Sequence, residues 1–327
     1  MVDMKMQVCA VTVAYNKPEQ LARLLSSLRG QDHSLSGLVI VDNSDDCYFA
    51  ENSKVFKVYS KKYALARYHK TNKNVGSAGG FRRGMQIAHE NGFDWIWLLD
   101  QDGAVSPSCL TELLKHCEDG DILCPNIVDI CLPNVSKPKV YAKNYLGGVY
   151  VPTRAVNSQV DAFGTHAVLI SKKTLDTIGY YDDSLFFVGY EDSDYGCRAV
   201  LAGLVIFFVA GAKALHPSKL STKKTHKIGP AYMDYITDLP TDELPCSKTR
   251  RIAPFSKAYL ESKYLQPWQF GIALAYSECD ALYRKVAGEK GIALTMTLRL
   301  FLKCFAYCLK KDWPYNAIEQ LCREVLK

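Results

Sequence analysis

The sequence has few charged residues and lacks several motifs by which function is often identified. Only 23% of its 327 residues are charged and 48% are hydrophobic, which excludes a disordered or collagen-like protein and supplies enough apolar material for a large core. The twelve cysteines are scattered without a CxxC motif, so we expect most to be buried, reduced thiols. The first residues lack the basic region and small-residue cleavage site of a signal peptide, which predicts a cytoplasmic protein.

Charge is unevenly distributed along the chain. Residues 1–212 carry 21 Lys and Arg against 23 Asp and Glu, a net charge of −2. Because the whole chain has a net charge of +6, residues 213–327 have a net charge of +8. A basic segment could meet nucleic acid, anionic lipid or a phosphorylated ligand. Residues 292–309 are almost wholly apolar, but Arg299 and Lys303 at their middle argue against a bilayer span. This segment either packs in a helical bundle or lies in the membrane interface, and we predict peripheral attachment to the inner face of the plasma membrane, with no nucleic-acid partner.

The first two hundred residues alternate predicted strands and helices, the pattern of an α/β domain. Predicted strands cover 8–14, 38–41, 64–69, 95–99, 122–125, 168–170 and 204–209, and predicted helices cover 18–29, 81–91, 172–178 and 191–202. The first four strands run into polar or glycine-rich residues at their carboxyl ends, the edge where open α/β sheets bind ligands. Residues 218–257 are polar and predict a mobile loop and linker, in which 218–230 suit a lid over a ligand as well as a plain linker. Residues 258–327 predict helices.

A glycine-rich stretch precedes the third helix. Gly76, Gly79 and Gly80 could cradle a phosphate, because glycines let backbone N–H groups approach an anion at a helix N-terminus. The stretch is neither a P-loop nor the dinucleotide fingerprint that follows a first strand, and a tight strand-to-helix turn explains it equally well. Arg82 and Arg83 in the first turn of the predicted helix favour an anion, since positive charge there is otherwise unfavourable.

An acidic DxD sequence follows the apolar strand WIWLL. Asp100 and Asp102 flank Gln101, and two carboxylates at a strand end can converge on one divalent cation whose shell is completed by substrate phosphates. The alternative is an ordinary polar turn. His216, at the end of another predicted strand, could be a third metal ligand, although a lone histidine is usually structural. The other six histidines, His166 among them, show no spacing that indicates a site.

A second acidic group opens the predicted helix at 191–202. Glu191, Asp192 and Asp194 stand in its first turn, where the helix dipole favours acids, and Asp194 can pair with Arg198 one turn later. That accounts for Asp194 without a functional role. The aromatic residues 186–190 just before the helix suit a wall against which a ligand packs, and a carboxylate held ionised at a helix start is a competent general base.

Six motifs in this order resemble glycosyltransferase family 2, the inverting nucleotide-sugar enzymes of GT-A fold. They are AVTVAYNKPEQL, VDNS, NVGSAGGFRRGM, LLDQDG, GYEDSDYGCRA and the LH at 215–216, and together they span roughly residues 7–217. DQDG looks like the rhamnosyltransferase branch and GYEDSDYG like the galactofuranosyltransferase branch, which leaves the donor sugar open. The resemblance implies an α/β fold with a GT-A-type, Rossmann-like mixed sheet flanked by helices over residues 1–217, followed by a C-terminal helical extension.

The resemblance also implies roles for individual residues. Asp192 would be the catalytic base, and Asp100, Asp102 and His216 would hold Mg²⁺ or Mn²⁺ on the diphosphate. The remaining residues of the predicted donor site are Tyr15, Asn16, Asp42 and Asn74 around the base and ribose, Arg82 and Arg83 near the diphosphate, and Gly76, Gln101 and Glu191.

The predicted activity is the transfer of one sugar from a UDP- or dTDP-sugar to a hydroxyl of a cell-surface glycan or lipid-linked glycan. The QxxRW sequence of processive members is missing, since the similar string at Gln320–Arg323 has no Trp. One alternative is a catalytically silent nucleotide-sugar-binding or assembly protein of the same fold. Another is a nucleotidyltransferase, but such enzymes carry a glycine-rich loop after the first strand, where this chain has Tyr15-Asn16-Lys17-Pro18.

Overall fold

The computed structural model describes residues 6–129, 156–161, 163–185 and 190–216, with the isolated residues 259, 263 and 306. The chain divides into two compact units, of which the first comprises residues 1–145, 149–182 and 192–218, and the second comprises 146–148, 183–191 and 219–327. Residues 186–189 of the predicted aromatic wall at 186–190, the linker at 218–257 and the apolar segment 292–309 lie outside the described residues, as do all but three residues of the helical region 258–327. In the described part, no helix is both long and apolar enough to cross a membrane.

The described residues alternate strands and helices, as the sequence predicts. In chain order the elements are β1 (Val8–Ala14), α1 (Pro18–Arg29), β2 (Gly37–Asp42), α2 (Asp46–Tyr59) with a 3₁₀ turn (Ser60–Lys62), β3 (Leu65–Lys70), α3 (Gly76–Glu90), β4 (Trp95–Asp100), β5 (Ala104–Val105), α4 (Cys109–Leu114), β6 (Ile122–Asp129), β7 (Ser158–Val160), β8 (Val168–Ser171), α5 (Lys172–Ile178), α6 (Glu191–Leu201) and β9 (Ile206–His216). Four of these, α2, α4, β5 and β7, were not predicted, because they are short or weakly amphipathic.

The strands form one mixed sheet, as the family resemblance implies. Its order is β3-β2-β1-β4-β8-β6-β9-β5, with β7 also paired to β9. Strands β1 to β4 pair in parallel, β8 runs antiparallel between β4 and β6, and β6 is parallel to β9. Strands β5 and β7 run antiparallel along β9. Six strands therefore point the same way and end at one edge of the sheet.

Alternate residues of the buried strands pack on opposite faces of the sheet. Val8 and Ala10 belong to the cluster that buries the leucines of α1, whereas Cys9 and Val11 belong to the cluster that buries Phe81 of α3. All six described cysteines are free thiols, and four of them are buried, as the sequence predicts. Burial raises the pKa of the Cys9 thiol, so these side chains act as small apolar groups.

Helix α3 begins at Gly76, five residues before the predicted start at Phe81, so the prediction of a glycine loop ahead of the helix was wrong. Gly80 and Gly84 lie on the face of α3 that packs on β1. A Cβ at Gly80 would lie 2.7 Å from Val13 Cγ1, and one at Gly84 would lie 2.3 Å from Val11 Cγ1. Close contact between helix and sheet therefore accounts for Gly80 and Gly84, while Gly76 has a φ of +74° at the helix start.

Candidate active site

The carboxyl ends of β4 and β9 bring the DxD sequence next to His216. Strand β4 ends at Asp100, and the chain turns through Gly103 into β5. Strand β5 then pairs antiparallel with the end of β9, with Ala104 opposite Leu215. This pairing places His216 Nε2 3.2 Å from Asp102 Oδ1, although the two residues are far apart in sequence.

A second histidine joins the same cluster. Strand β8 pairs antiparallel with β4, with Leu98 opposite Val168, so the residues before Val168 lie beside those after Leu98. His166 Nδ1 lies 2.5 Å from Asp100 Oδ2, and the rings of His166 and His216 are 4.3 Å apart. The sequence analysis missed His166, because only its position before a strand is visible in the sequence and the antiparallel pairing is not.

The cluster has the donor atoms of a divalent-metal site. One ligand atom each from Asp100, His166 and His216 lies within 4.8 Å of the other two, and all three residues are half-buried. Carboxylate oxygens and neutral imidazole nitrogens are common ligands of Mn²⁺ and related ions. The side chains thus fit the predicted metal, with Asp102 at its margin.

Asp102 is held in its ionised form by the histidines. Burial alone would raise the pKa of this carboxyl, but the hydrogen bond from His216 and the charges of His216 and His166 lower it overall. On its other side, the Arg23 guanidinium donates to the Asp102 main-chain carbonyl. The turn that carries the DxD sequence is therefore anchored by side chains from α1 and β9.

Asp192 lies in the second position of α6, close to the loop before β8. Its Oδ1 accepts hydrogen bonds from the Ser193 N–H at 2.7 Å and the Ser193 hydroxyl at 3.3 Å. A Cβ at Gly164 would lie 3.7 Å from Asp192 Oδ2 and 3.1 Å from His166 Cδ2, so the carboxylate and the metal cluster share this loop. Burial raises the pKa of Asp192 to about 6, and the negative charge of Asp100 adds to the rise against the opposing hydrogen bonds.

The other acids of this helix differ in their surroundings. Arg198 Nε lies 2.8 Å from Asp194 Oδ2, and the same guanidinium donates to the carbonyls of Ile178 and Tyr180. This bears out the purely structural explanation of Asp194. Glu191 is buried and opens the helix, and its predicted contact with the donor stays a prediction.

The ends of β2 and β3 are joined by a buried network around Asp42. The Asp42 carboxylate accepts hydrogen bonds from the Ser44 N–H at 2.8 Å, from Asn52 Nδ2 at 3.3–3.4 Å and from the Tyr68 hydroxyl. Burial and the contact with Asp42 raise the pKa of Tyr68. Asp42 thus orders the loop after β2, while its predicted contact with the nucleotide stays a prediction.

The loop after β1 is held by Gln101 and by the loop after β2. The Gln101 side chain accepts from the Tyr15 N–H at 2.6 Å and donates to the Lys17 carbonyl at 2.6 Å. Asn16, with a φ of +48°, exchanges hydrogen bonds with Asp45. The Tyr15 side chain is 46% exposed and is available to a ligand. Gln101 thereby connects the DxD turn to the predicted nucleotide-binding loop.

The last group of predicted donor-site residues lies before and within the first two turns of α3, where Arg82 and Arg83 stand in the second turn rather than the predicted first turn. Asn74 Oδ1 accepts from the Gly76 N–H at 2.8 Å, a local bond that begins the helix. Arg82 donates to the Tyr181 carbonyl at 2.9 Å, and Arg83 helps burial to lower the pKa of His69. Both arginines are half-buried on α3, and their predicted contact with a diphosphate stays a prediction.

Comparison with known families and curated proteins identifies relatives over much of this domain. The family described as glycosyl transferase family 2 matches residues 9–179. Galactofuranosyltransferase GlfT1 of Mycobacterium tuberculosis is 28% identical over 240 residues, which cover 71% of this chain and 77% of that protein. GlfT1 of Mycolicibacterium smegmatis is 28% identical over 222 residues, covering 64% and 70%.

Solved structures share the fold at low sequence identity. GalNAc-T7, crystallised with UDP, GalNAc and Mn²⁺, superposes with a TM-score of 0.55 at 15% identity and covers 96% of this chain, which spans 59% of GalNAc-T7. Residues 1–349 of S. aureus TarS give a TM-score of 0.50 at 15% identity, covering 98% of this chain and 92% of that one. At this identity the likeness concerns the fold alone.

Proposed function

Because this chain belongs to glycosyl transferase family 2, we propose that it moves one sugar from a UDP- or dTDP-sugar to a hydroxyl of a cell-surface glycan or lipid-linked glycan, with inversion and without processivity. The observation that carries the proposal is the convergence of Asp100, Asp102, Asp192 and His216 at one edge of the sheet. The galactofuranosyltransferase relatives support UDP-galactofuranose as the first donor to test, with dTDP-rhamnose as the second.

The metal of this proposal is Mn²⁺ or Mg²⁺, held by Asp100, Asp102 and His216. When bound, such an ion neutralises the charge that develops on the leaving diphosphate. The Mn²⁺ named with GalNAc-T7 supports a divalent ion in this fold.

Asp192 acts as the general base. The acceptor oxygen bonds to the anomeric carbon on the side opposite the diphosphate, the bond to the diphosphate oxygen breaks, and the acceptor proton passes to Asp192. A carboxyl with a pKa of about 6 is mostly ionised at pH 7 and takes a proton more readily than an ordinary aspartate. Removal of such a base typically lowers the rate by about 10²–10⁴-fold.

The nucleotide occupies the carboxyl ends of β1 and β2. Tyr15 offers an exposed ring for stacking, and Asn16 and Asn74 carry amides near the same loops. Asp42 supports this surface through Ser44, and Arg82 and Arg83 stand on the helix that follows, where they would meet the diphosphate.

A donor-hydrolysis screen tests the activity. UDP-galactofuranose, dTDP-rhamnose, UDP-glucose and UDP-galactose are incubated with the protein and Mn²⁺, with and without EDTA, and released nucleotide is measured. We expect hydrolysis of one donor, lost in EDTA and reduced about 10²–10⁴-fold in Asp192→Asn. Glu118→Gln, an exposed carboxylate before β6 and hence at the opposite edge of the sheet, is the matched control. Donor binding without hydrolysis or transfer would favour the silent relative instead.

The peripheral membrane location remains a separate proposal, carried by the net +8 of residues 213–327. Basic residues near an anionic leaflet contribute about 1 kcal/mol each. Co-sedimentation with anionic but not neutral vesicles, reversed by high salt, is the expected result. Absence of binding to either vesicle would leave residues 258–327 as a packed bundle.

A further inference from the structure

We propose that His166 is a protein ligand of the divalent ion, so that two imidazoles, His166 and His216, hold the metal together with the carboxylates of the DxD sequence. This inference rests on the proposed function only in requiring that the site bind a divalent cation. His166 is not part of the DxD sequence or of any motif that indicated the family, and it reaches the site through the pairing of β8 with β4.

The distances fit coordination with small movements. Two ligands bonded to one ion at about 2.1 Å can lie no more than about 4.2 Å apart. Three ligands cannot all be trans to one another, so most pairs lie about 3.0–3.4 Å apart. The ligand atoms of Asp100, His166 and His216 already lie within 4.8 Å of one another, so side-chain movements of about 1–2 Å bring them around one metal ion. The two rings are 4.3 Å apart and inclined at 51°, with His166 Nδ1 next to Asp100 and His216 Nε2 next to Asp102.

The backbone around His166 fixes the position of its ring next to Asp100. Ala167 has a φ of +61°, a strained conformation for a residue with a side chain, of the kind that concentrates at functional sites. The fully buried Trp97 stabilises it, since the indole Nε1–H donates to the Ala167 carbonyl at 2.8 Å. The His166 N–H bonds the Gly164 carbonyl at 2.7 Å, and the missing side chain at Gly164 leaves room for the imidazole.

Two imidazole ligands have a consequence for the choice of metal. Imidazole nitrogen binds first-row transition ions, Mn²⁺ included, more readily than it binds Mg²⁺, which prefers oxygen ligands and keeps several waters. His166 therefore biases the site toward Mn²⁺. The competing role for His166 is structural, as an ion-pair partner that positions Asp100 without touching the metal.

The test counts the nitrogen ligands of Mn²⁺ directly. Pulsed electron paramagnetic resonance on the full chain with Mn²⁺ and UDP records the coupling of the metal to imidazole nitrogens. We expect two coupled nitrogens in the wild type and one in His166→Ala and His166→Gln, the second variant keeping the side-chain volume. Calorimetry should give a loss of Mn²⁺ affinity of about tenfold or more and a smaller change for Mg²⁺.

His69→Ala is the matched control, because it removes a half-buried imidazole from β3 outside the cluster, and it should retain both couplings. Retention of two nitrogens and of wild-type Mn²⁺ affinity in both His166 variants would overturn the inference and leave the proposed function intact. A wild-type protein that hydrolyses its donor equally well in EDTA and binds no Mn²⁺ would overturn the inference together with the metal in the proposed function.

Discussion

Asp192→Asn should stabilise the metal-free protein while it removes the activity. The pKa of Asp192 rises from 3.8 to about 6 in the folded chain, which means that the ionised carboxylate opposes folding at neutral pH. Each tenfold change in proton affinity corresponds to 1.36 kcal/mol, so the full cost is about 3 kcal/mol. Because the side chain keeps some contact with water, we expect asparagine to recover about 1–3 kcal/mol.

The sign of this effect depends on pH in a defined way. Between pH 3.8 and about 6 the folded chain binds more protons at Asp192 than the unfolded chain does, so the contribution of this group to stability falls as the pH rises through that range. The gain from asparagine is therefore complete above about pH 6 and absent below about pH 4. The Ser193 N–H and hydroxyl can still donate to the asparagine Oδ1, which keeps the local geometry.

Thermal denaturation in EDTA at pH 7 and at pH 4 measures the difference. One kcal/mol shifts the melting temperature of a domain of this size by about 2–4 °C, so a rise of roughly 2–12 °C is expected at pH 7. Glu118→Gln, which changes an exposed carboxylate, should stay within about 0.5 kcal/mol of the wild type. An unchanged or lowered melting temperature at pH 7, or a gain of the same size at pH 4, would refute the assignment of a raised pKa to Asp192.

Three further predictions concern the site and its scaffold. At saturating Mn²⁺, kcat/KM for donor hydrolysis should fall about tenfold per pH unit once the pH drops below the pKa of Asp192. That pKa is about 6 in the metal-free chain and should be lower with Mn²⁺ bound, because the ion offsets the charge of Asp100; a pH-independent rate down to about pH 4 would contradict the role of Asp192. Asp102→Ala should abolish the Mn²⁺ dependence of UDP binding measured by calorimetry, and His216→Ala should weaken it less, since two carboxylates and the diphosphate remain as ligands. Unchanged metal dependence in Asp102→Ala would show that the DxD sequence does not bind the metal. Gly84→Ala should lower the free energy of unfolding by about 1–3 kcal/mol through the contact with Val11, measured by urea denaturation, and no relief of that loss in the Val11→Ala background would contradict the packing explanation.

The sequence was most informative about site residues that lie together at one strand end or one helix start. Asp100 and Asp102 follow one buried strand, and Asp192 opens one helix, so local pattern was enough to select them. Gln101 was predicted with the donor contacts, yet both ends of its amide hold the main chain of Tyr15 and Lys17. The sequence shows that an amide stands between two carboxylates, but its hydrogen-bond partners come from another strand end.

The role of the glycine-rich stretch also could not be decided from the sequence. Its composition suits both a phosphate cradle and a tight turn, and each follows from the freedom of glycine. The close approach of α3 to β1 explains Gly80 of this stretch, and Gly84 one turn later, by packing, because a Cβ there would overlap the side chain of Val13 or Val11. Such a contact depends on the distance between two elements, which no local pattern contains.

The amino-acid sequence by itself determined the alternation of strands and helices and the polar strand ends, because burial periodicity and turn residues act over a few neighbours. It also determined the family, through six motifs in order. Only the tertiary structure decided that β8 runs antiparallel beside β4 and that β5 pairs with the end of β9. Those two pairings bring His166 and His216 to Asp100 from distant parts of the chain, since hydrogen bonding between strands sets which residues become neighbours independently of their separation in sequence.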